Sequence, residues 1–205
     1  MIKYASQNIT QEDIKSVSSA LKRDLITQGN LNYKFETRIN KLVRSKYCLT
    51  TNSASSALLL ACKALGLKKG DNGWTTTNTF AATANSILLC GANLDFVEIN
   101  EKTFNICADK LEKKLKKTKK NKLPKVLILV HYGGNPCELK QIYKLSKKYN
   151  FKIIEDASHA LGGKYKKTKV GSCKYSDVTV FSFHPIKSIT TAEGGVALTN
   201  NKSLA

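Results

Sequence analysis

Short apolar runs alternate along the chain with longer segments that have the apolar spacing of helices, and this alternation constrains the fold more than any other feature. The run VLILV at 126–130 is apolar throughout, and FKIIED at 151–156 is apolar over most of its length. Strands of this kind are typical of parallel sheets that are buried on both faces. Helical spacing lies between them, as in Leu139, Ile142 and Leu145. The chain is therefore predicted to be an α/β protein with a mostly parallel sheet between helices.

Seven segments are predicted to be strands. They lie at 47–51, 74–78, 94–99, 126–130, 151–156, 178–183 and 194–199. Helices are predicted at 10–23, around 35–42, at 55–65 and 80–88, and in the segments that begin at Asp109 and Pro136. Because no long helix separates the last two strands, one of them is expected to run antiparallel.

The first predicted helix carries the clearest boundary signal. Thr10 with Asp13 three residues later is a capping-box pattern, which indicates the start of a helix. Ile14, Val17 and Leu21 are three to four residues apart and therefore form one apolar face. The helix is thus predicted to be amphipathic.

A dense run of lysines, KKLKKTKKNKLPK, covers Lys113–Lys125 and contributes to a formal net charge of +19. Asp109 is expected to cap the helix that enters this run, with Leu111 and Leu115 facing inward. Nucleic-acid recognition relies on arginine, yet the chain has 31 Lys and only 3 Arg. The run is therefore predicted to be a solvated helix end and loop, with a patch for an anionic partner as the alternative. Nucleic acid is not an expected partner.

Six cysteines are spread through the chain without a C-x-x-C spacing or an adjacent histidine cluster. A zinc or other metal site is therefore not expected. No apolar run reaches the roughly 18 residues that a transmembrane helix needs, and the first residues lack the apolar core of an export signal. The cysteines are accordingly predicted to be reduced, mostly structural thiols of a cytoplasmic protein that does not contact membranes.

Because ligands of open α/β sheets bind beyond the carboxyl ends of the strands, the residues that follow each strand are candidates for a site. The first strand is followed by small residues, Ser53, Ala54, Ser55 and Ser56, at the start of a helix. Free N–H groups and the helix dipole at such a start favour an anion, above all a phosphate. The alternative interpretation is an ordinary serine N-cap.

Two further strand ends carry charged groups. Asp156 ends the fifth strand with His159 three residues later, and the alternative here is a helix-capping aspartate with a surface histidine. Lys187 follows the sixth strand and has no like charge in the ten residues before it. A lysine in a semi-enclosed site can lose its proton and attack a carbonyl, whereas the alternative is one more solvated lysine.

Taken together, an anion cradle, an acid and an isolated lysine at the ends of strands in one sheet match the needs of one cofactor. Pyridoxal phosphate (PLP) requires a phosphate site, a carboxylate for its ring nitrogen and a lysine for its aldehyde. The sequence therefore predicts a PLP site at this edge of the sheet.

Several motifs carry a resemblance to a known family. The segment EDASHALGGKY at 155–165 and the segment VGSCKYSDVTVFSFHPIKSITTAEGGVALTNN at 170–201 resemble the DegT/DnrJ/EryC1/StrS sugar aminotransferases. DLITQG at 24–29, TFAATANSILLCGA at 79–92 and VHYGGNPCEL at 130–139 complete the resemblance. Members of that family are PLP-dependent enzymes of fold type I. The resemblance implies that residues 1–205 form the PLP-binding large domain.

The resemblance assigns catalytic roles to two residues. Lys187 is expected to hold the cofactor as a Schiff base and then to act as acid and base during proton transfer. Asp156 is expected to pair with the pyridine nitrogen and keep the ring an electron sink. Dehydratases of the same family have a histidine in place of this lysine, so Lys187 favours transamination.

Further cofactor contacts follow from the same resemblance. Phe80 is expected to stack on the ring face, and His159 stands where many relatives have a glutamine that contacts the ring hydroxyl. Ser182 and the backbone at Ala54 and Ser55 are expected to hold the phosphate.

The sequence around HYGGNPC and GSCKYSD is most similar to that of family members that aminate C4 of a UDP-4-keto-6-deoxy sugar on the route to pseudaminic acid. The implied reaction moves an amino group from L-glutamate to that nucleotide sugar, in a cytoplasmic homodimer. The alternative function is a non-catalytic remnant that folds and binds PLP or a nucleotide sugar without turnover.

Two departures from the family pattern accompany the resemblance. Gly73 and Trp74 stand where relatives have an aliphatic strand start, so that strand is expected to be distorted or weaker. The chain is also expected to be truncated at its C-terminal end and to lack the small domain, which helps to close the substrate site in relatives.

Overall fold

The computed structural model describes residues 6–205. The helices are α1 Gln11–Leu21, α2 Gly29–Val43, α3 Ala54–Ala64, α4 Ala81–Leu88, α5 Ala108–Lys117 and α6 Leu139–Tyr149. The strands are β1 Tyr47–Thr51, β2 Asn72–Thr76, β3 Asn93–Val97, β4 Val126–Val130, β5 Lys152–Asp156, β6 Lys164–Tyr165, β7 Thr168–Lys169, β8 Val178–Ser182 and β9 Gly195–Thr199. The seven predicted strands are therefore confirmed with small changes of boundary, and the short β6–β7 hairpin was not predicted.

A seven-stranded sheet with the order β1-β9-β8-β5-β4-β2-β3 forms the centre of the fold. Strand β9 pairs antiparallel with both β1 and β8, whereas the pairs from β8 to β3 are all parallel. This arrangement confirms the predicted mostly parallel sheet and the antiparallel strand near its end. The carboxyl ends of β1, β2, β4, β5 and β8 and the first residue of β9 consequently meet at one edge.

Helices cover both faces of the sheet, and side chains of β5 alternate between the two layers. Ile153 packs with the apolar residues of α5 and α6, and Ile154 packs with those of α3 and α4. By the same alternation Glu155 lies on the α5–α6 side and Asp156 lies on the α3–α4 side. The two adjacent carboxylates therefore project to opposite faces of the sheet.

Strand β2 is more regular than its sequence suggested. Gly73 lies against Ile87, where an added Cβ would come within 2.6 Å of that side chain, and Trp74 is only 1% exposed in the core. The strand pairs over five residues with β3 but over two residues with β4. The expected weakness is thus limited to the β4 side.

Three local predictions change in the structure. The capping box of Thr10 and Asp13 at α1 is confirmed, but every residue of the helix is at least partly exposed, so its apolar face does not pack on the sheet. Asp109 does not cap α5, because Cys107 is the cap residue and the carboxylate accepts a hydrogen bond from Gln141 instead. Helix α6 begins at Leu139, three residues after the proline that was expected to open it.

The lysine run is largely solvated, as predicted, although three of its lysines pair with acidic side chains, Lys116 with Glu112 at 2.9 Å among them. Lys114 contacts Asp95 at 2.7 Å and lies over the ring of Trp74, and Lys125 pairs with Asp71 at 2.8 Å. Within residues 6–205, no helix has the length and apolar character that crossing a membrane requires.

All six cysteines are free thiols, and burial raises the pKa of Cys48, Cys62 and Cys173 to about 12. These three thiols are therefore protonated and unreactive at neutral pH. Their role is to fill the core, as the sequence indicated.

Candidate active site

Asp156, the last residue of β5, is buried at the edge where the strand ends meet. Its Oδ2 accepts a hydrogen bond from Oγ1 of Thr83 on α4 at 2.7 Å. Its Oδ1 accepts hydrogen bonds from the backbone N and Oγ of Ser158 at 3.2 and 2.7 Å. Both oxygens of this carboxylate are therefore hydrogen-bond acceptors for neighbouring donors. Since turns rather than a helix follow β5, the helix-capping alternative for Asp156 does not apply.

The start of α3 presents free backbone donors at the same edge. Ser53 is the N-cap, and its side chain accepts a hydrogen bond from the backbone N of Ser56 at 3.2 Å. The N–H groups of Ala54 and Ser55 lie in the first helical turn, where intrahelical acceptors are missing. The serine cap and the anion-binding alternative are thus compatible, because the cap leaves these two donors free.

Gly195 brings the start of α3 next to β8. A Cβ on Gly195 would lie 2.5 Å from the carbonyl carbon of Ser53 and 2.6 Å from its oxygen, so only glycine fits there. The same glycine is the partner of Ser182 in the pairing of β8 with β9. Ser182 and the first turn of α3 are therefore both neighbours of one glycine, and together they form a small cradle lined with donors.

Lys187 lies in the loop between β8 and β9. Its backbone N donates to the carbonyl of His184 at 2.9 Å, and the backbone N of Thr191 returns to the carbonyl of Phe183 at 3.0 Å. Partial burial lowers the pKa of the Lys187 amine below its usual 10.5, while the charge of Asp156 opposes this shift. Because β8 pairs parallel with β5, the loop that carries Lys187 begins at the same edge of the sheet as Asp156.

The two remaining predicted residues are His159 and Phe80. Partial burial and the positive charge of Lys187 lower the pKa of His159, and the charge of Asp156 opposes them. Phe80 precedes α4 with a ring that is 76% exposed, and its carbonyl accepts a hydrogen bond from the backbone N of Thr83 at 3.0 Å. Because Thr83 also bonds to Asp156, Phe80 is connected to the acid through one residue.

Sequence reasoning missed Thr83 and did not single out Gly195. Thr83 is one of several threonines in an apolar segment, and only the packing of α4 on the sheet brings its hydroxyl to Asp156. The glycine pair at 194–195 was a usable signal, since a glycine at the start of a strand often marks a close approach of another backbone. Among the described residues, no group of three or more His, Cys, Asp and Glu is arranged to hold a metal ion.

Substituting Gly195→Ala is expected to lower the free energy of unfolding by about 1–3 kcal/mol, because the added methyl group overlaps the Ser53 backbone. Urea unfolding followed by circular dichroism measures the change. Ala197→Val is the matched control, because it adds bulk to the same face of β9 about 7 Å away. An unchanged midpoint for Gly195→Ala would show that the close approach is not a constraint.

The sheet topology, together with an acid, a lysine and a donor-lined cradle at one edge, defines the class of an α/β protein with the aminotransferase fold. Residues 7–205 match the DegT/DnrJ/EryC1/StrS aminotransferase family. The chain therefore belongs to this family, which confirms the resemblance seen in the sequence.

Individual relatives support the same assignment. The chain is 45% identical over 204 residues to the UDP-4-amino-4,6-dideoxy-N-acetyl-beta-L-altrosamine transaminase of Campylobacter jejuni strain 81-176, covering 100% of this chain and 53% of that protein. Helicobacter pylori PseC, described as an aminotransferase involved in the biosynthesis of pseudoaminic acid, is 35% identical with a TM-score of 0.90, covering 98% of this chain and 53% of PseC.

A third relative was solved with its cofactor. The PLP-form of Spr1654 from Streptococcus pneumoniae is 29% identical with a TM-score of 0.88, covering 100% of this chain and 54% of that one. The chain thus spans about half the length of the curated relatives that it matches.

Proposed function

We propose that residues 1–205 form the PLP-binding large domain of a nucleotide-sugar aminotransferase, which moves an amino group from L-glutamate to a UDP-4-keto-6-deoxyhexose. The observation that carries the proposal is the convergence of Asp156, Lys187 and the cradle of Ser182 and α3 at one edge of the sheet. Membership of the aminotransferase family and the names of the relatives support the reaction and the sugar class. A homodimer in the cytoplasm is inferred from the same resemblance.

The residues present fit the cofactor in two respects. The backbone donors of Ala54 and Ser55 and the hydroxyl of Ser182 suit a phosphate, and the close approach at Gly195 keeps these donors together. The carboxylate of Asp156 suits a protonated ring nitrogen. When bound, pyridoxal phosphate takes up the amino group of the donor and stabilises negative charge on the reacting carbon.

Each side chain then has a definite task. Lys187, whose lowered pKa increases its neutral fraction, would hold the cofactor aldehyde and, once released from it, would take up and return a proton at Nζ. Asp156, which is itself held by Thr83 and Ser158, would accept the ring N–H. Phe80 would cover one face of the ring, and His159 would contact the ring hydroxyl.

The first half-reaction tests the proposal. The 205-residue chain is loaded with PLP, freed of excess cofactor and mixed with L-glutamate, with D-glutamate as the control. We expect a visible cofactor band that disappears with L-glutamate alone, and one 2-oxoglutarate released per bound cofactor. A retained cofactor without release of 2-oxoglutarate would instead support the non-catalytic alternative, and absence of a specific band would contradict the proposed site.

A further inference from the structure

A second buried acid lies directly below the proposed site, on the other face of the sheet. Oε2 of Glu155 is 2.8 Å from Nε2 of His131, and both side chains are at most 3% exposed. Ser176 donates a hydrogen bond to Oε1 of Glu155, and Thr179 donates to the same oxygen at 3.3 Å. A fully buried ion needs partners of this kind, and the cofactor chemistry proposed above uses none of these groups.

The hydrogen bonds fix the proton on His131. The backbone N–H of Cys137 donates to Nδ1 at 3.1 Å, so that nitrogen is an acceptor. The imidazole proton is therefore on Nε2, which donates it to Glu155. With donors on both of its oxygens, the Glu155 side chain is an acceptor that sets the tautomer and orientation of His131.

His131 in turn shapes the turn 131–137, which touches the segment that carries the site. The backbone N of His131 donates to the carbonyl of Asp156 at 3.1 Å, and the backbone N of Gly134 donates to the carbonyl of His131 at 3.0 Å. Gly134 has φ +84 and lies so close to the carbonyl oxygen of His159 that a Cβ would be 2.6 Å from it. The turn is thus in contact with both ends of the segment 156–159.

We propose that Glu155 and His131 are positioning residues that hold the turn 131–137 against the segment 156–159 and thereby place Asp156 and His159 for cofactor binding. The expected effect on cofactor binding rests on the proposed function. The contact between the turn 131–137 and the segment 156–159 concerns the chain alone. Neither residue touches the cradle or the lysine. The pair acts through the turn, because Glu155 orients His131 and His131 anchors both ends of the turn.

The first test compares Glu155→Leu with Glu155→Gln. Leucine fills the space but leaves the Nε2–H of His131 unpaired, whereas glutamine keeps an oxygen that accepts it. Affinity for PLP is measured by titration of the visible band. We expect Glu155→Leu to weaken binding by about tenfold and to shift the band, a size typical of residues that orient ligating groups. Glu155→Gln should stay within threefold of the parent chain.

Loss of stability by itself is controlled with Ile153→Ala. Ile153 lies on the same strand and face as Glu155 and is also buried, but its apolar side chain packs in the cluster of α5 and α6 and cannot hydrogen-bond to His131. If Ile153→Ala and Glu155→Leu lower the unfolding temperature equally and weaken PLP equally, the positioning role is overturned.

A substitution at Gly134 tests the contact between the turn and His159 without disturbing the core. Gly134→Ala and Gly133→Ala both place a side chain at positive φ, but Gly133 has no atom within 4 Å of the added Cβ. Only Gly134→Ala should push the turn from His159 and weaken PLP. Equal affinities for the two variants would contradict the proposal.

Backbone amide NMR spectra of the chain without cofactor distinguish a failure of the positioning role from a failure of the proposed function. We expect Gly134→Ala and Glu155→Leu to move the amide signals of residues 156–160, and Gly133→Ala to leave them in place. If the parent chain gives no specific PLP band but these signals move, the proposed function fails while the positioning part stands. Unmoved signals in Gly134→Ala would overturn the positioning part, whatever the chain binds.

Discussion

Replacing Lys187 by methionine is expected to abolish the covalent attachment of PLP to the chain while leaving the fold intact. The side chain lies half-buried in a loop, and methionine has a similar length without an amine. Reduction with borohydride followed by peptide mapping measures the attachment. The parent chain should carry one label at Lys187, and the Lys187→Met variant should carry none.

The large number of lysines makes the control essential. Exposed amines react with free aldehydes at random, so a nonspecific label would be spread over many peptides and would survive any single substitution. Lys113→Met removes an exposed lysine of α5 and should retain the full label at Lys187. A scattered label that persists in Lys187→Met would contradict the assignment of this lysine.

The second large effect concerns Asp156. Asp156→Asn preserves the shape of the side chain, and the asparagine can still accept from Ser158 and donate to the hydroxyl of Thr83. It loses the charge that would accept the ring N–H, and one charge-assisted hydrogen bond contributes about 1.5–3 kcal/mol. We therefore expect PLP affinity to fall by about tenfold to a hundredfold.

Asp177→Asn is the matched control for this loss of charge. Asp177 accepts a hydrogen bond from the backbone N of Ile153 at 2.9 Å, close to the opposite end of β5. Equilibrium dialysis of PLP against both variants distinguishes a local effect from a general change of charge. A similar affinity for Asp156→Asn and the parent chain would remove Asp156 from the cofactor site.

The outline of the site followed from the sequence because its groups lie at strand ends. The burial pattern of β4, β5 and β8 is strong enough to locate where each strand ends, and parallel pairing then brings those ends to one edge. Asp156 ends its strand as predicted, Ser182 ends β8 one residue before the predicted boundary, and Lys187 follows in the next loop. For these residues, a local pattern and one rule of topology were sufficient.

Contacts between elements did not follow from the sequence, since no local pattern encodes them. The Thr83 hydroxyl reaches Asp156 only when α4 packs on the sheet, and His131 meets Glu155 only across two neighbouring strands. Periodicity likewise gave the amphipathic face of α1 without indicating that this face stays exposed. Asp109 had the right residue type for a cap but a competing partner, Gln141, on the adjacent helix.

The antiparallel strand β9 has a consequence for how the chain is made. It is the neighbour of β1 in the sheet, and the backbone N of Lys46 bonds to a side chain 154 positions later. At about 5–20 residues per second, a ribosome would need roughly 8–30 s to synthesise the residues between β1 and the end of β9. During that interval β1 and the start of α3 are on the nascent chain without the glycine that completes the cradle. The part of the chain made early thus depends on the part made late, and we expect the cradle to be among the last features to form during synthesis.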